Sequence, residues 1–359
     1  MGKWRGTLEN MGIKKNFWQD KRVLITGHTG FKGSWLTILL NQLGADVYGI
    51  SNEDAKLSLS RNINLDKFCN SNIIDIRNRD DFHKKFNKIN PEIIIHLAAQ
   101  SLVIKSYKDP YLTYSTNLIG LVNVLDAARY SKFSKVFLNV TSDKCYKNTE
   151  SDQGYKEDDT LGGHDPYSNS KACSELISES YKNSFFSESN IACITARAGN
   201  VIGGGDWSED RLVPDIFKSI IENKDLEIRR PEAIRPWQHV LEPLNGYLSL
   251  IENAYKDPNK YSEAWNFGPE DENIRTVKNI VDEISKNIPI NNVNYENTTN
   301  FHETSTLKLN ISKVKNHLNW LPRWGFKKTI KETCDWYKTY MSKGDIKEIT
   351  IKQINEYLE

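Results

Sequence analysis

The sequence predicts an α/β fold in which a doubly wound parallel sheet is followed by a smaller mixed α/β region. Three observations carry that reading. From residue 21 onward, short β-branched or apolar runs alternate with longer segments of helical periodicity, the pattern of consecutive βαβ units. The first run opens directly into a glycine-rich turn. After Gly203 the texture changes to a glycine cluster (Gly203, Gly204, Gly205), shorter apolar pieces and prolines at Pro214, Pro231, Pro236, Pro243 and Pro269.

In chain order, strands are expected at Arg22–Thr26, Asp46–Ile50, Ile73–Asp75, Glu92–His96, Lys135–Val140 and Ile191–Ala196. Between them Phe31–Leu43, Arg79–Phe86, Tyr111–Tyr130 and Tyr167–Phe186 carry apolar residues at helical spacing. This divides the chain into a first domain over residues 17–200 and a second, mainly substrate-binding one over 201–345, with a segment around 235–250 returning to the first. The polar stretch Asn279–Asn300 reads as a helix and loop.

Composition narrows the function. Lys and Arg number 48 against 47 Asp and Glu, so the net charge of +1 offers nothing to a nucleic acid. Low hydrophobic content combined with 9 Trp, 16 Tyr and 13 Phe implies an aromatic-rich core under a polar surface rather than a disordered chain. The five cysteines are dispersed with no C-x-x-C pair, so neither a metal site nor a disulfide framework is expected. No apolar run approaches the roughly 18 residues of a membrane span, and Met1–Asp20 lacks an apolar leader core. A cytoplasmic protein with no membrane partner is the expectation.

The strand Arg22–Thr26 runs into Gly27-His28-Thr29-Gly30-Phe31-Lys32-Gly33 and then an apolar helix. Glycines so placed permit a tight turn, close approach of backbone to a pyrophosphate and close helix-on-sheet packing, while the helix N-terminus offers amide donors. The sheet is therefore Rossmann-type, and Gly27, Thr29, Gly30, Phe31, Lys32 and Gly33 are candidate cofactor contacts. Glu53 and Asp54 stand where an acid could hold the adenosine ribose, or form a solvated loop. No Arg stands there for a 2′-phosphate, which favours NAD over NADP. Asp75 and Ile76, closing the third strand, and Leu97, Ala98 and Ala99, closing the fourth, continue the candidate cofactor wall.

Tyr167 and Lys171 lie four apart on one expected helix, hence on one face. A nearby cation favours phenolate, so Tyr167 can accept a proton from a substrate hydroxyl, as hydride removal from an alcohol carbon requires. At the end of the preceding strand, Ser142 can polarise the same hydroxyl and Asp143 can serve as an acid. Cys145 has no adjacent His and reads as a packed core thiol, and His239 is given no role.

Gly27–Gly33, Ser142 and Tyr167/Lys171 resemble the extended short-chain dehydrogenases/reductases, and Asp143 directly after Ser142 resembles the nucleotide-sugar 4,6-dehydratases among them. Five blocks in order, Gly27–Trp35, Thr141–Tyr146, Gly162–Tyr167, Arg197–Trp207 and Ile234–Val240, resemble the branch of that family acting on CDP-glucose, over roughly residues 17–330. The resemblance implies retained NAD, oxidation at the sugar C4, loss of water across C5–C6 and return of hydride to C6. The product would be a 4-keto-6-deoxy sugar nucleotide, a precursor of 3,6-dideoxyhexoses of surface polysaccharides. It places Asp143 as the acid expelling the C6 hydroxyl. Lys144 replaces the Glu of the wider family, either as the C5 base or as a cation stabilising the enolate.

The same resemblance implies substrate contacts at Gln100, Ser101, Asn200, Arg211, Val213 and Arg235, where arginines can fork onto a diphosphate. Arg229 and Arg230 read equally well as phosphate contacts or solvated surface. Phe301-His302-Glu303 and Lys308 fall in a block near the nucleotide. It also implies a homodimer or homotetramer through Tyr111–Tyr130 and Tyr167–Phe186. An epimerase of the same fold is the rival reading, but it has no need of an acid at Asp143. A non-catalytic NAD-sensing protein has no need of Ser142, Tyr167 and Lys171 together.

Overall fold

The computed structural model describes residues 13–53, 55–149, 153–296 and 307–359. Seven strands form one sheet: β1 (Arg22–Thr26), β2 (Asp46–Ser51), β3 (Asn70–Ile73), β4 (Ile93–His96), β5 (Val136–Val140), β6 (Ala192–Ala198) and β11 (Ala264–Phe267). Their order is β11-β6-β5-β4-β1-β2-β3, with every pairing parallel. The order reverses between β1 and β4, and ligands of such sheets bind at that switch point.

Alternation along each strand builds two core layers. Val23 and Ile25, Ile93 and Ile95, and Val136 and Leu138 enter one layer, closed by the helices Phe31–Gln42 and Leu241–Lys256. Leu24, Ile94 and Phe137 enter the other, under Arg79–Ile89 and Gly120–Arg129. The expected aromatic core is present, with Trp18, Trp35, Trp265 and Trp336 fully buried. Among these indole N–H groups, that of Trp18 donates to Glu252 Oε1 and that of Trp35 to the Gly204 carbonyl, whereas those of Trp207 and Trp320 are buried with no partner.

Several expected elements shift. The third strand is Asn70–Ile73 rather than Ile73–Asp75; it is a polar edge strand paired only to β2, so no apolar run marks it. Asp75 and Ile76 therefore lie beyond the strand, not at its close. The expected helix Tyr111–Tyr130 is three pieces, Pro110–Tyr114, a π-helical turn at Ser115–Ile119 and Gly120–Arg129. Tyr167–Phe186 is likewise Pro166–Tyr181 plus a π-helical turn, Lys182–Phe186.

The seventh strand, β11, has no counterpart among the six expected. The return of the chain to the sheet thus extends past 250 to Phe267. The remaining short strands form three ribbons after Ala198: β7 (Val201–Ile202) with β10 (Gln238–His239), β9 (Ile234–Arg235) with β12 (Arg275–Thr276), and β8 (Leu226–Arg229) with β13 (Val293–Glu296). The C-terminal helix Ile346–Leu358 runs beyond the expected boundary at 345 and seals the first core layer through Ile354 and Tyr357.

Candidate active site

The strand register brings the ends of β1, β2 and β4 level: Thr26 pairs with Ile50 and with His96. Val140 likewise pairs with Ala196. The loops that follow open on a cavity of about 1170 Å³. Of the sequence-predicted residues, these line it: Gly27, Thr29, Gly30, Phe31, Lys32, Gly33, Asp75, Ile76, Leu97, Ala98, Ala99, Gln100, Ser101, Ser142, Asp143, Lys144, Tyr167, Lys171, Asn200, Arg211, Val213 and Arg235.

The glycine-rich turn fits a dinucleotide. Gly27 has φ +77° and a Cβ there would sit 2.7 Å from the Ala98 nitrogen, while a Cβ on Gly33 would lie 2.1 Å from the Gly27 carbonyl oxygen. Both positions are closed to any side chain. Gly30 would meet only the Gly27 oxygen at 3.3 Å, so its cavity side stays open at the N-terminus of the helix Phe31–Gln42. His28 ties the turn to the neighbouring strands, its ring nitrogens each 2.9 Å from the hydroxyls of Ser51 and Ser71. Beside it, the Thr29 hydroxyl donates to the Glu53 carbonyl at 2.8 Å. Glu53 lines the cavity; Asp54 lies outside the described residues.

Further along the wall, Arg77 holds the Asp75 carboxylate by Nε at 2.9–3.0 Å, and Asn123 Nδ2 donates to the Ile76 carbonyl at 2.9 Å. Gly120 allows that approach, since a Cβ there would strike Ile76 Cδ1 at 2.5 Å.

The helix Pro166–Tyr181 starts where Asp165 caps it, accepting from the Ser168 amide at 2.9 Å, with Pro166 in the first turn. That start puts Tyr167 and Lys171 one turn apart at the cavity floor. Lys171 Nζ donates to the Val140 carbonyl at 3.1 Å, tying the helix to the end of β5. Ser142 donates to Asp143 Oδ1 at 3.0 Å, and its hydroxyl also hydrogen-bonds Tyr167. The other carboxylate oxygen of Asp143, Oδ2, is buried with no hydrogen-bond partner, although Asp143 lines the cavity.

Charges at the floor run against one simple expectation. Burial pushes the Tyr167 phenol up to about 12, against the pull of the Ser142 hydrogen bond and the Arg211 guanidinium. Burial drops Lys171 to about 8, with Glu175 and Cys145 pulling it back. In the ligand-free chain desolvation thus outweighs the cation that was expected to favour phenolate. Lys32 is likewise held down to about 8, first by burial and then by Arg211 and Lys171.

Arg211 bridges the two halves of the cleft, donating to Asp206 Oδ2 at 3.1 Å and Ser101 Oγ at 3.2 Å. Arg229 lines the cavity whereas Arg230 does not. Leu307 lines it but Lys308 pairs with Asp271 at 2.9 Å instead; Phe301-His302-Glu303 lie outside the described residues. Gln100 differs from its expected role. Its amide is engaged by its own chain, donating to Thr113 Oγ1 at 2.9 Å and the Leu102 carbonyl at 3.1 Å, and accepting from the Leu102 amide at 2.8 Å. It shapes the wall rather than offering free donors. Cys145 is fully buried beside Ala172, Leu307 and Leu309, and burial raises its thiol, so it packs as a core residue.

Sequence reasoning did not identify Asp206, Trp237 or Asn169 as cavity residues. They stand outside any strand-to-turn signature, and only tertiary packing brings them in.

The family model described as GDP-mannose 4,6 dehydratase matches residues 24–333. A CDP-glucose 4,6-dehydratase of Salmonella typhimurium is 43% identical over 358 residues, covering 96% of this chain and 98% of that protein. A dTDP-glucose 4,6-dehydratase of Escherichia coli K12 is 24% identical, covering 88% of this chain and 92% of its own. Among solved structures, a UDP-glucose 4-epimerase of Thermotoga maritima with UDP-glucose superimposes with a TM-score of 0.77 at 20% identity, covering 89% of this chain and 99% of its own. A dTDP-glucose 4,6-dehydratase of Bacillus anthracis in complex with NAD gives 0.74 at 22% identity, covering 91% of this chain and 99% of its own. Both are alike in fold.

Proposed function

The chain belongs to the GDP-mannose 4,6-dehydratase family, and from that premise we propose that it is an NAD-dependent hydro-lyase converting CDP-glucose to CDP-4-dehydro-6-deoxyglucose. The choice of CDP-glucose follows the relative that is 43% identical over nearly its whole length. The observation that favours dehydration over epimerisation is Asp143, an acid lining the cavity beside Ser142 and Tyr167 with one oxygen free of protein partners.

Gly27–Gly33 would hold the pyrophosphate of the dinucleotide, Asp75 and Ile76 would line its adenine end, and Leu97–Ala99, Tyr167 and Lys171 would flank its nicotinamide half. When bound, NAD supplies an acceptor for the C4 hydride and the hydride that later reaches C6. Tyr167 Oη takes the C4 hydroxyl proton while Ser142 hydrogen-bonds the same oxygen. The resulting 4-ketone acidifies the C5 proton. Asp143 protonates the C6 hydroxyl as it departs as water, the C5 proton passes to solvent water in the cleft, which returns a proton to C5 as hydride reaches C6, and the Lys144 ammonium stabilises the enolate in between. Arg211 leaves Ser101 and Asp206 to meet the diphosphate, together with Asn200 and Arg235.

We place the product in the supply of 3,6-dideoxyhexoses for surface polysaccharide, and the enzyme in the cytoplasm. No helix among the described residues is long and apolar enough to cross a membrane. Large apolar side chains exposed on the helices Pro110–Tyr114 and Pro166–Tyr181, Tyr111 at 81% and Leu176 at 54%, support a homodimer through these helices.

Incubation with NAD and each of CDP-, dTDP- and GDP-linked hexoses tests the assignment, read by the alkaline absorbance of a 4-keto product. Product from CDP-glucose in preference to the others is expected. Preference for another nucleotide overturns the base assignment, and no product from any overturns the enzymatic reading.

A further inference from the structure

Behind the cavity floor lies a buried ion pair that contributes no atom to the cavity lining. Glu175 stands one turn beyond Lys171 and two beyond Tyr167 on the same helix, and is almost fully buried. Arg197, on β6, grips it with Nε on Oε1 and Nη2 on Oε2, both at 2.9 Å, a two-pronged contact. Two threonine hydroxyls complete the carboxylate: Thr141 donates to Oε1, and Thr195 to Oε2 at 2.5 Å.

The far side of Arg197 is equally committed. Its Nη1 donates to the Tyr146 hydroxyl at 2.7 Å and to the Glu157 carbonyl at 2.9 Å, and the guanidinium lies 4.8 Å from the Tyr146 ring centre. Tyr146 donates onward to Asn266 Oδ1 at 2.8 Å on β11. Thr141 and Tyr146 bracket Ser142–Cys145. One buried pair therefore holds both ends of the segment carrying Ser142, Asp143 and Lys144, and is itself built on the helix carrying Tyr167 and Lys171.

An isolated buried pair is poor evidence for stability, because desolvation consumes most of the Coulomb gain. The value of this one lies in geometry. Two groups of catalytic side chains arrive on separate elements and must meet across one sugar ring, where a misplacement of about 1 Å costs on the order of a hundredfold in rate.

We propose that Glu175, clamped by Arg197, is a positioning residue that fixes the Ser142–Lys144 turn relative to Tyr167 and Lys171 through the Thr141 hydroxyl. The proposal rests on the dehydratase reading for its kinetic consequence but not for its structural one. Replacing Glu175 leaves an uncompensated buried guanidinium and threatens folding, so the threonines provide the test.

Thr141→Val and Thr195→Val each remove one hydroxyl from the same carboxylate, yet only Thr141 continues into the turn. Thr141→Val is expected to lower kcat by about ten- to a hundredfold with KM unchanged, Thr141→Ser to restore it, and Thr195→Val to stay near wild type. Hydrogen exchange of the ligand-free chain should show faster exchange at the Lys144 and Cys145 amides, both bonded to Ser142, in Thr141→Val alone. Equal effects of the two valine variants, or a KM change without a kcat change, overturn the proposal. Wild-type protein inactive on every sugar nucleotide refutes the dehydratase reading, and the exchange comparison then decides the positioning role by itself.

Discussion

Tyr167 makes the sharpest single-residue prediction. It is almost fully buried at the cavity floor, and burial pushes its phenol up to about 12. Tyr167→Phe should cut kcat by about 10²–10⁴-fold, the usual range for a lost general base, while calorimetry shows substrate binding unchanged. Loss of binding instead would make Tyr167 a structural or recognition residue. Lys171 sets the pH dependence. Its folded value of about 8 lies below that of a free lysine, so the ammonium is present below that pH and lost above it. In the free enzyme, with Tyr167 losing its proton only near 12, kcat/KM should therefore rise with pH and level into a flat limb above about pH 8, whereas the residual activity of Lys171→Arg should keep rising with no such limb, since a guanidinium does not deprotonate. A limb remaining near 8 in that variant would assign it to Lys32, also held at about 8, and contradict the account. The residues legible in the sequence were those fixed by short-range rules: the glycines by the strand-to-helix turn, Tyr167 and Lys171 by four-residue spacing, Ser142 and Asp143 by the strand end. Glu175 and Arg197 were not, because 22 residues and a strand crossing separate them. Nor was the local use of the Gln100 amide, which depends on where Thr113 and Leu102 come to rest.

Together the helices Pro110–Tyr114, Gly120–Arg129 and Pro166–Tyr181, with the π-helical turn Ser115–Ile119 between the first two, do two things. They wall the cofactor side of the cleft through Gly120 against Ile76 and Tyr167 at the floor, and they leave Tyr111, Ile119 and Leu176 exposed on their outer sides. Leu176→Glu should leave the fold intact and reduce the mass measured by light scattering from a dimer or larger to a monomer. A wild-type monomer would dismiss these helices as an interface. Periodicity located these helices to within a few residues, but their π-helical turns at Ser115–Ile119 and Lys182–Phe186 depend on hydrogen-bond register, to which an apolar pattern is blind. The same limit hid β11, whose four residues Ala264–Phe267, between a short helix and Gly268-Pro269, are too few for a period to show. Asn70–Ile73 was misplaced because an edge strand needs little apolar surface, and the neighbouring Ile73 and Ile74 drew the expectation toward the C-terminus.

At the level of the whole molecule, the parallel sheet delivers the ends of β1, β4, β5 and β6 to one rim, and the region after Ala198 brings Arg211, at the start of the helix Leu212–Glu222, and Arg229 and Arg235, on its ribbons, to the same cavity. Near-neutral net charge fits this arrangement, since a sugar diphosphate needs a few placed guanidinium groups rather than a basic surface. On the proposed reading the cleft would join an acid, a hydroxyl base and a retained hydride carrier around one hexose, which is the requirement of an internal redox dehydration. The most direct measurement is to supply CDP-glucose deuterated at C4 with NAD and locate the label in the product by NMR and mass spectrometry. The account predicts deuterium at C6 of a 4-keto-6-deoxy sugar, with C5 hydrogen exchanged from solvent. Deuterium returned to C4 of an unreduced hexose would identify an epimerase, and label lost to solvent would contradict an internal hydride return.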